Sequence, residues 1–183
     1  MRLFVAADVS SKAGIIKLQQ EIAASERWDP AEVKPVEKQN LHFTLMFIGE
    51  TGATQKIKSK LSELRFEPFR ITYAGIGGHP DQNSADKIWV GVDEGGAAQL
   101  SALAARVAAK LEEIDLEPDK PFIPHVPVFH ARAGRIKVGK SFAKYRNKQF
   151  GSDLIDRVHL KKSEAAGSGH TYSKIFTKAL GAL

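Results

Sequence analysis

Two histidines set in apolar runs are the residues of this chain best suited to chemistry. His42 lies in Asn40-Leu41-His42-Phe43-Thr44-Leu45-Met46-Phe47-Ile48, and His125 in Phe122-Ile123-Pro124-His125-Val126-Pro127-Val128-Phe129. Both runs read as strands, where side chains alternate faces with period two. In the first, Leu41, Phe43, Leu45 and Phe47 share the expected core face, while His42 and Thr44 share the other. An imidazole and a hydroxyl two residues apart on one face can converge on a small anion. The ring moves a proton and the hydroxyl donates to a phosphate oxygen. In the second run, His125, Pro127 and Phe129 share a face, and Val126 and Val128 turn away. This histidine has no hydroxyl neighbour. An unperturbed imidazole pKa of about 6.5 lets acid and base forms coexist near neutrality, so a pair of such rings suits two-way proton transfer. The competing reading makes each histidine an ordinary hydrogen-bonded strand residue.

Other chemistries find less support. The chain has no cysteine, which excludes disulfides, thiolate metal sites and cysteine nucleophiles. Neither histidine has His, Asp or Glu at i+2 or i+4, so no local chelate forms and no metal is expected. There is no G-x-S-x-G elbow, and Gly75-Ile76-Gly77-Gly78 is not followed by the Lys-Ser/Thr of a nucleotide-binding loop. The net charge of +6 favours a polyanionic partner such as nucleic acid or a phosphorylated ligand. On charge alone, a basic surface without a dedicated partner is the other reading. The opening apolar run, Leu3 to Ala7, is interrupted at Asp8 and reads as a strand, not a signal peptide. No stretch approaches the roughly 18 apolar residues of a membrane span. A cytoplasmic monomer without a membrane partner is expected.

The elements that must position these residues follow from periodicity. Leu3 to Ala7 is a buried strand; Ser10 or Ser11 is placed to cap a helix carrying Ile15, Leu18 and Ile22. Leu41 to Ile48 is a strand, and Ile57, Leu61 and Leu64 mark a helix. Phe69 to Ile76 and Lys87 to Val92 read as strands around a loop, Gly77 to Asp86, rich in Gly, Pro, Asn, Asp and Ser. Ala97 to Ile114 is the clearest helix, with Leu100, Leu103, Ala104, Val107, Leu111 and Ile114 in one stripe. Phe122 to Phe129 is a strand, Ile136 to Tyr145 a short helix, and Leu154 to Lys161 with Thr171 to Thr177 a closing strand pair. Strands and helices mix without strict alternation, which predicts an α+β fold. The two histidine strands stand 83 residues apart (125 minus 42) in similar half-chains, which suggests two related lobes.

The residues also resemble a known family. Asn40 to Glu50 closely resembles the first motif of the 2H phosphoesterases, and within them of the bacterial and archaeal RNA 2′,3′-cyclic phosphodiesterases, the 2′-5′ RNA ligase-like proteins. Arg2 to Ala6, Gly75-Ile76-Gly77 with Ile88 to Val92, Phe122 to Val126, and Leu160 to Ser163 with Tyr172 resemble further segments in the same order. The family's hallmark is two His-x-Thr/Ser motifs facing each other across a cleft. The resemblance implies two pseudo-symmetric lobes in one bilobal domain spanning residues 1–183, each an antiparallel sheet with helices on its outer face and the cleft between the sheets. It implies His42 and His125 as the catalytic pair, no cofactor, and as partner an RNA 3′ end or nucleotide bearing a 2′,3′-cyclic phosphate. The ring would be hydrolysed to a 2′-phosphate, and the reverse sense, with a 5′-hydroxyl in place of water, would make a 2′-5′ linkage. His125 as base and His42 as acid is the favoured assignment, and the near-symmetry of the two lobes leaves the reverse open.

The departures are specific. Pro127 replaces the second Thr/Ser, removing a hydroxyl and a backbone N–H. Family members often carry Arg five residues after the second histidine; here that residue is His130, with Arg132 two further on. Thr44, His130 and Arg132 are therefore the expected phosphate-binding groups. An aromatic often precedes the middle-loop proline; here His79 precedes Pro80 and is the candidate for stacking on a base. Pro127 and His130 also support an alternative, a non-catalytic module that binds RNA ends or nucleotide phosphates on the same fold.

Overall fold

The computed structural model describes residues 1–81, 83–132, 134–166 and 169–181. In chain order the elements are β1 (Arg2–Asp8), α1 (Ala13–Glu26), β2 (Val33–Pro35), a 3-10 turn (Lys38–Asn40), β3 (His42–Glu50), α2 (Thr54–Ser62), β4 (Phe69–Asp81), β5 (Ser84–Val92), α3 (Glu94–Glu112), β6 (Val126–Ala131), α4 (Gly139–Tyr145), β7 (Gln149–Ile155), β8 (Arg157–Ala166) and β9 (Gly169–Ala179). The strands form two antiparallel sheets, ordered β3-β1-β8-β9 and β2-β6-β5-β4-β7. This is the α+β, two-sheet architecture expected from the sequence, with a cleft between the sheets.

The chain is divided between the sheets differently from two half-chains. The first sheet takes β1 and β3 from the beginning and β8 and β9 from the end; the second takes the middle strands and β2. Only Asp156 separates β7 of one sheet from β8 of the other, so the chain crosses over within a single residue. Helices α1 and α4 lie against β7, β6 and β4, whereas α3 touches both sheets through β3 and β4, and α2 rests on α3 and β9. Among the described residues, no helix is long and apolar enough to cross a membrane.

Local sequence accounts for most elements. β1 is an inner strand of its sheet, and Leu3 through Ala7 are all buried, the continuous apolar run of a strand covered on both faces. The α3 stripe of Leu100, Leu103, Ala104, Val107 and Leu111 is buried throughout, and the Asp93 side chain caps the helix by accepting from the Gly96 N–H at 3.1 Å. α1 behaves differently from expectation. It starts after Lys12 with no side-chain cap, and Ser10 and Ser11 lie ahead of it, their backbone N–H groups donating to Asp153 at 2.7 and 2.9 Å. Two expected boundaries also move. Much of the Gly77–Asp86 segment is strand, since β4 runs to Asp81 and β5 starts at Ser84; its polar composition reflects an exposed hairpin end. β6 starts only at Val126, because Pro121 and Pro124 bring no N–H to a ladder.

Candidate active site

β3, which begins at His42, and β6, which begins one residue after His125, each contain a β-bulge three residues past the histidine that reverses side-chain parity. In β3, Val5 pairs with Met46 and Ala6 with Thr44, leaving Leu45 as the extra residue. Leu45 and Met46 are therefore both buried, and Phe47 is 51% exposed rather than in the core. In β6, Ile88 pairs with Phe129 and Trp89 with Pro127, leaving Val128 as the extra residue. Val128 and Phe129 are both buried, Phe129 meets Trp28 edge-on at 5.3 Å, and His130 comes to the face that Phe129 was expected to occupy. The cleft-facing positions are thus His42, Thr44 and Phe47 on one strand, and His125, Pro127 and His130 on the other: i, i+2 and i+5 in both cases.

The two rings make the same local hydrogen bond. His42 Nδ1 donates to the Asn40 carbonyl at 2.6 Å, and His125 Nδ1 donates to the Ile123 carbonyl at 2.7 Å. A carbonyl oxygen only accepts, so in the neutral rings the proton sits on Nδ1 and Nε2 is bare. On the first strand that bare nitrogen lies 3.1 Å from Thr44 Oγ1. On the second, Pro127 has no group to offer.

Their surroundings differ. His42 is 8% exposed, with Phe4 and Tyr172 rings at 5.2 and 5.4 Å. Burial, then the nearby Lys161 charge, pushes its pKa down to about 4, and the charge on His125 acts in the same direction. Burial also lowers the His125 pKa, against the Ile123 carbonyl, which favours the charged ring. Beneath His42, the 2%-exposed Lys161 is ion-paired with Asp8, which also holds Lys174 at 2.7 Å. His159 Nε2 lies 3.7 Å from the same carboxylate.

A model of the 2′-5′ RNA ligase superfamily matches residues 16–163. The chain belongs to that superfamily. An RNA 2′,3′-cyclic phosphodiesterase of Archaeoglobus fulgidus is 34% identical over 177 residues, covering 96% of this chain and 98% of the relative. One from Aquifex aeolicus is 31% identical over 179 residues, covering 94% and 91%. Among solved structures, TT0787 of Thermus thermophilus superposes with a TM-score of 0.76 at 23% identity, over 98% of this chain and 97% of that one. Escherichia coli LigT complexed with 3′-AMP gives 0.72 at 22% identity, over 99% and 98%. These two likenesses establish a shared fold. The chain is a 2H phosphoesterase, as its motifs implied.

The remaining expected site residues of this superfamily member fall in or beside one sheet. His79 stands near the end of β4, exposed, with Nδ1 3.4 Å from Asp86. His130 pairs with Lys87 of β5, and burial, then the Lys87 charge, lowers its pKa. Arg132 follows the end of β6, with its backbone N–H donating to the Glu32 carbonyl at 2.7 Å. Among the described residues, no side-chain hydrogen bond ties it to the histidines. Sequence reasoning gave no role to Trp89, whose ring meets His125 edge-on at 6.1 Å. Its signal was parity: Ile88 and Val90 are core residues, so Trp89 must point the other way. It also gave no role to Asp8 and Lys161, whose convergence depends on β8 pairing with β1.

Proposed function

We propose that this chain hydrolyses the 2′,3′-cyclic phosphate at an RNA 3′ end to a 2′-phosphate, as a monomer in the cytoplasm, with its 183 residues acting as one bilobal domain. The enzyme class is that of the cyclic phosphodiesterases, phosphoric diester hydrolases. One observation carries the two-histidine reading. Each ring spends its Nδ1–H on a carbonyl two residues before it, leaving Nε2 free for a substrate proton.

In this reading a water gives its proton to one Nε2 and attacks phosphorus in line. The P–O3′ bond breaks, and O3′ takes a proton from the other, protonated imidazole. The resemblance favoured His125 as the base and left the reverse open. The deeper burial of His42 supports the reverse assignment. When two nearby rings share one proton, the less desolvated one holds it, so His42 is the base and His125 the acid. Thr44 turns from Nε2 to a phosphate oxygen when substrate enters. Arg132 supplies charge on the opposite wall, His130 binds phosphate as a neutral hydrogen-bonding ring, and His79 is the candidate for stacking on a base. Running the steps backward with a 5′-hydroxyl in place of water joins two strands by a 2′-5′ linkage.

The deciding experiment incubates an RNA ending in a 2′,3′-cyclic phosphate with wild type, His42→Ala and His125→Ala. Ring opening by wild type and its loss in both variants, with unchanged thermal midpoints, is expected. Pro127 favours a second reading, a binding module without turnover. It requires that wild type form no product, yet bind the RNA in a salt-sensitive way that survives His42→Ala.

A further inference from the structure

One row out from Trp89 and Pro127, the cleft-facing side of the second sheet carries a cross-strand line of basic side chains. His79 of β4 pairs with Lys87 of β5. Lys87 pairs with His130 of β6, and His130 pairs with Lys34 of β2. Directly paired residues point to the same face of a sheet. The next row fixes which face this is: Gly77 pairs with Trp89, Trp89 pairs with Pro127, and the Trp89 ring touches His125. With strands about 4.8 Å apart, three steps make a row about 14 Å long.

The row is neutralised only in part, at its two ends. Asp86 stands 3.4 Å from His79, and Glu37 stands 3.9 Å from Lys34. Among the described residues, Lys87 has no ion-pair partner. Arg135 adds charge at the same end of β5, its Nη1 donating to the Ser84 carbonyl at 3.1 Å. The Lys87 charge reaches His125, so the row and the second histidine share one field. Two of its four members are imidazoles, and Trp89 lies one row inward. A basic line interleaved with flat rings suits a single nucleic-acid strand, whose charges repeat and whose bases all present a stacking face.

We propose that this row holds the backbone phosphates of the nucleotides 5′ to the cyclic end, making the preferred substrate an oligonucleotide recognised by charge along its strand. This rests on the hydrolytic reading above. The row offers space for about two successive phosphates beyond the reacting one, reached through Lys87 and Lys34.

The test compares kcat/KM for a 2′,3′-cyclic mononucleotide and for a ten-nucleotide RNA ending in a 2′,3′-cyclic phosphate. Wild type, Lys34→Ala, Lys34→Ala/Lys87→Ala and the charge-keeping Lys34→Arg/Lys87→Arg are measured, each at its own pH optimum. The oligonucleotide-to-mononucleotide ratio is expected to fall about tenfold in the double alanine variant and to recover in the double arginine variant. The log–log salt slope on the oligonucleotide should flatten by about 0.7 for each phosphate that the variant no longer neutralises. An unchanged ratio, or equal losses on both substrates, overturns the proposal while leaving hydrolysis intact. If wild type opens neither ring, the hydrolytic reading fails instead. Fluorescence anisotropy with a labelled RNA ending in a 3′-phosphate then decides the row: weaker binding by the double alanine variant supports it, and equal binding refutes it.

Discussion

Trp89 meets the His125 ring edge-on, with centroids 6.1 Å apart, because residue 77 has no side chain. A Cβ built on Gly77 would fall 2.1 Å from Trp89 Cζ2, so the indole lies in the space that any other residue would fill. On the other wall, Phe4 and Tyr172 flank His42. Each imidazole is thus oriented from below by its i−2 carbonyl and from the side by an aromatic ring.

Gly77→Ala is expected to displace the Trp89 ring and cost about 1–3 kcal/mol in stability through overpacking. Trp89→Ala should lower kcat about threefold to tenfold, since an edge-to-face pair contributes about 0.5–1.5 kcal/mol of orientation. Tryptophan emission reports the first change and single-turnover kinetics the second. A Gly77→Ala protein with native emission and stability contradicts the packing argument.

His42 should make the fold acid-labile. Its pKa is about 4 in the folded chain, against about 6.5 when unfolded. Between those values the unfolded chain takes the proton and the folded chain does not, so stability falls as pH drops. Lowering the pH from 7.5 to 4.5 should cost about 2 kcal/mol through this residue. Urea midpoints of wild type and His42→Asn at both pH values isolate it. The variant should lose less on acidification; equal losses would place the buried titration elsewhere.

Pro127→Thr should raise turnover. The position shares the His125 face, as Thr44 shares that of His42, and the neighbouring bulge at Val128 already interrupts the ladder, which eases exchange of a proline. A well-placed donor to a developing oxyanion is worth on the order of 3 kcal/mol. With imperfect placement, a gain of about tenfold in kcat is expected, with KM nearly constant. A change confined to KM would mean that the hydroxyl binds substrate without assisting the chemical step.

Asp153 should be the most costly single polar residue to remove. It is 5% exposed and accepts from Ser10 N–H, Ser11 N–H, the Tyr73 hydroxyl and Leu154 N–H, at 2.7 to 2.9 Å. Those donors join the exit of β1 in one sheet to β4 and β7 in the other. Asp153→Ala leaves them unsatisfied and should cost about 3 kcal/mol or more. Asp153→Asn keeps one acceptor oxygen and should cost less. Thermal midpoints of the two variants check this order.

Much of the site is legible in the chain itself. The types and spacing of His42, Thr44 and His125, the helical stripe from Leu100 to Leu111, and the missing hydroxyl at Pro127 are local facts, read from periodicity and motif. The α+β class follows from the same patterns. Phe47 and Phe129 depart from their expected faces for a shared reason. Period two assumes an unbroken ladder, and a bulge is a relation between two strands that neither strand encodes alone. Ser10 and Ser11 lie ahead of the helix that they were expected to cap, and the residue that holds their backbone N–H groups, Asp153, is 143 and 142 residues away in sequence.

The sequence by itself therefore determined which groups are available and, as far as each bulge, which way they point along their own strand. Only the tertiary structure decided the rest: which strands share a sheet, where the two bulges turn Phe47 and His130 into the cleft, and how Gly77 admits Trp89 beside His125. It also decided the protonation of His42. Desolvation comes from atoms packed around the ring, contributed by β1, β8 and β9, and no local pattern in β3 specifies them.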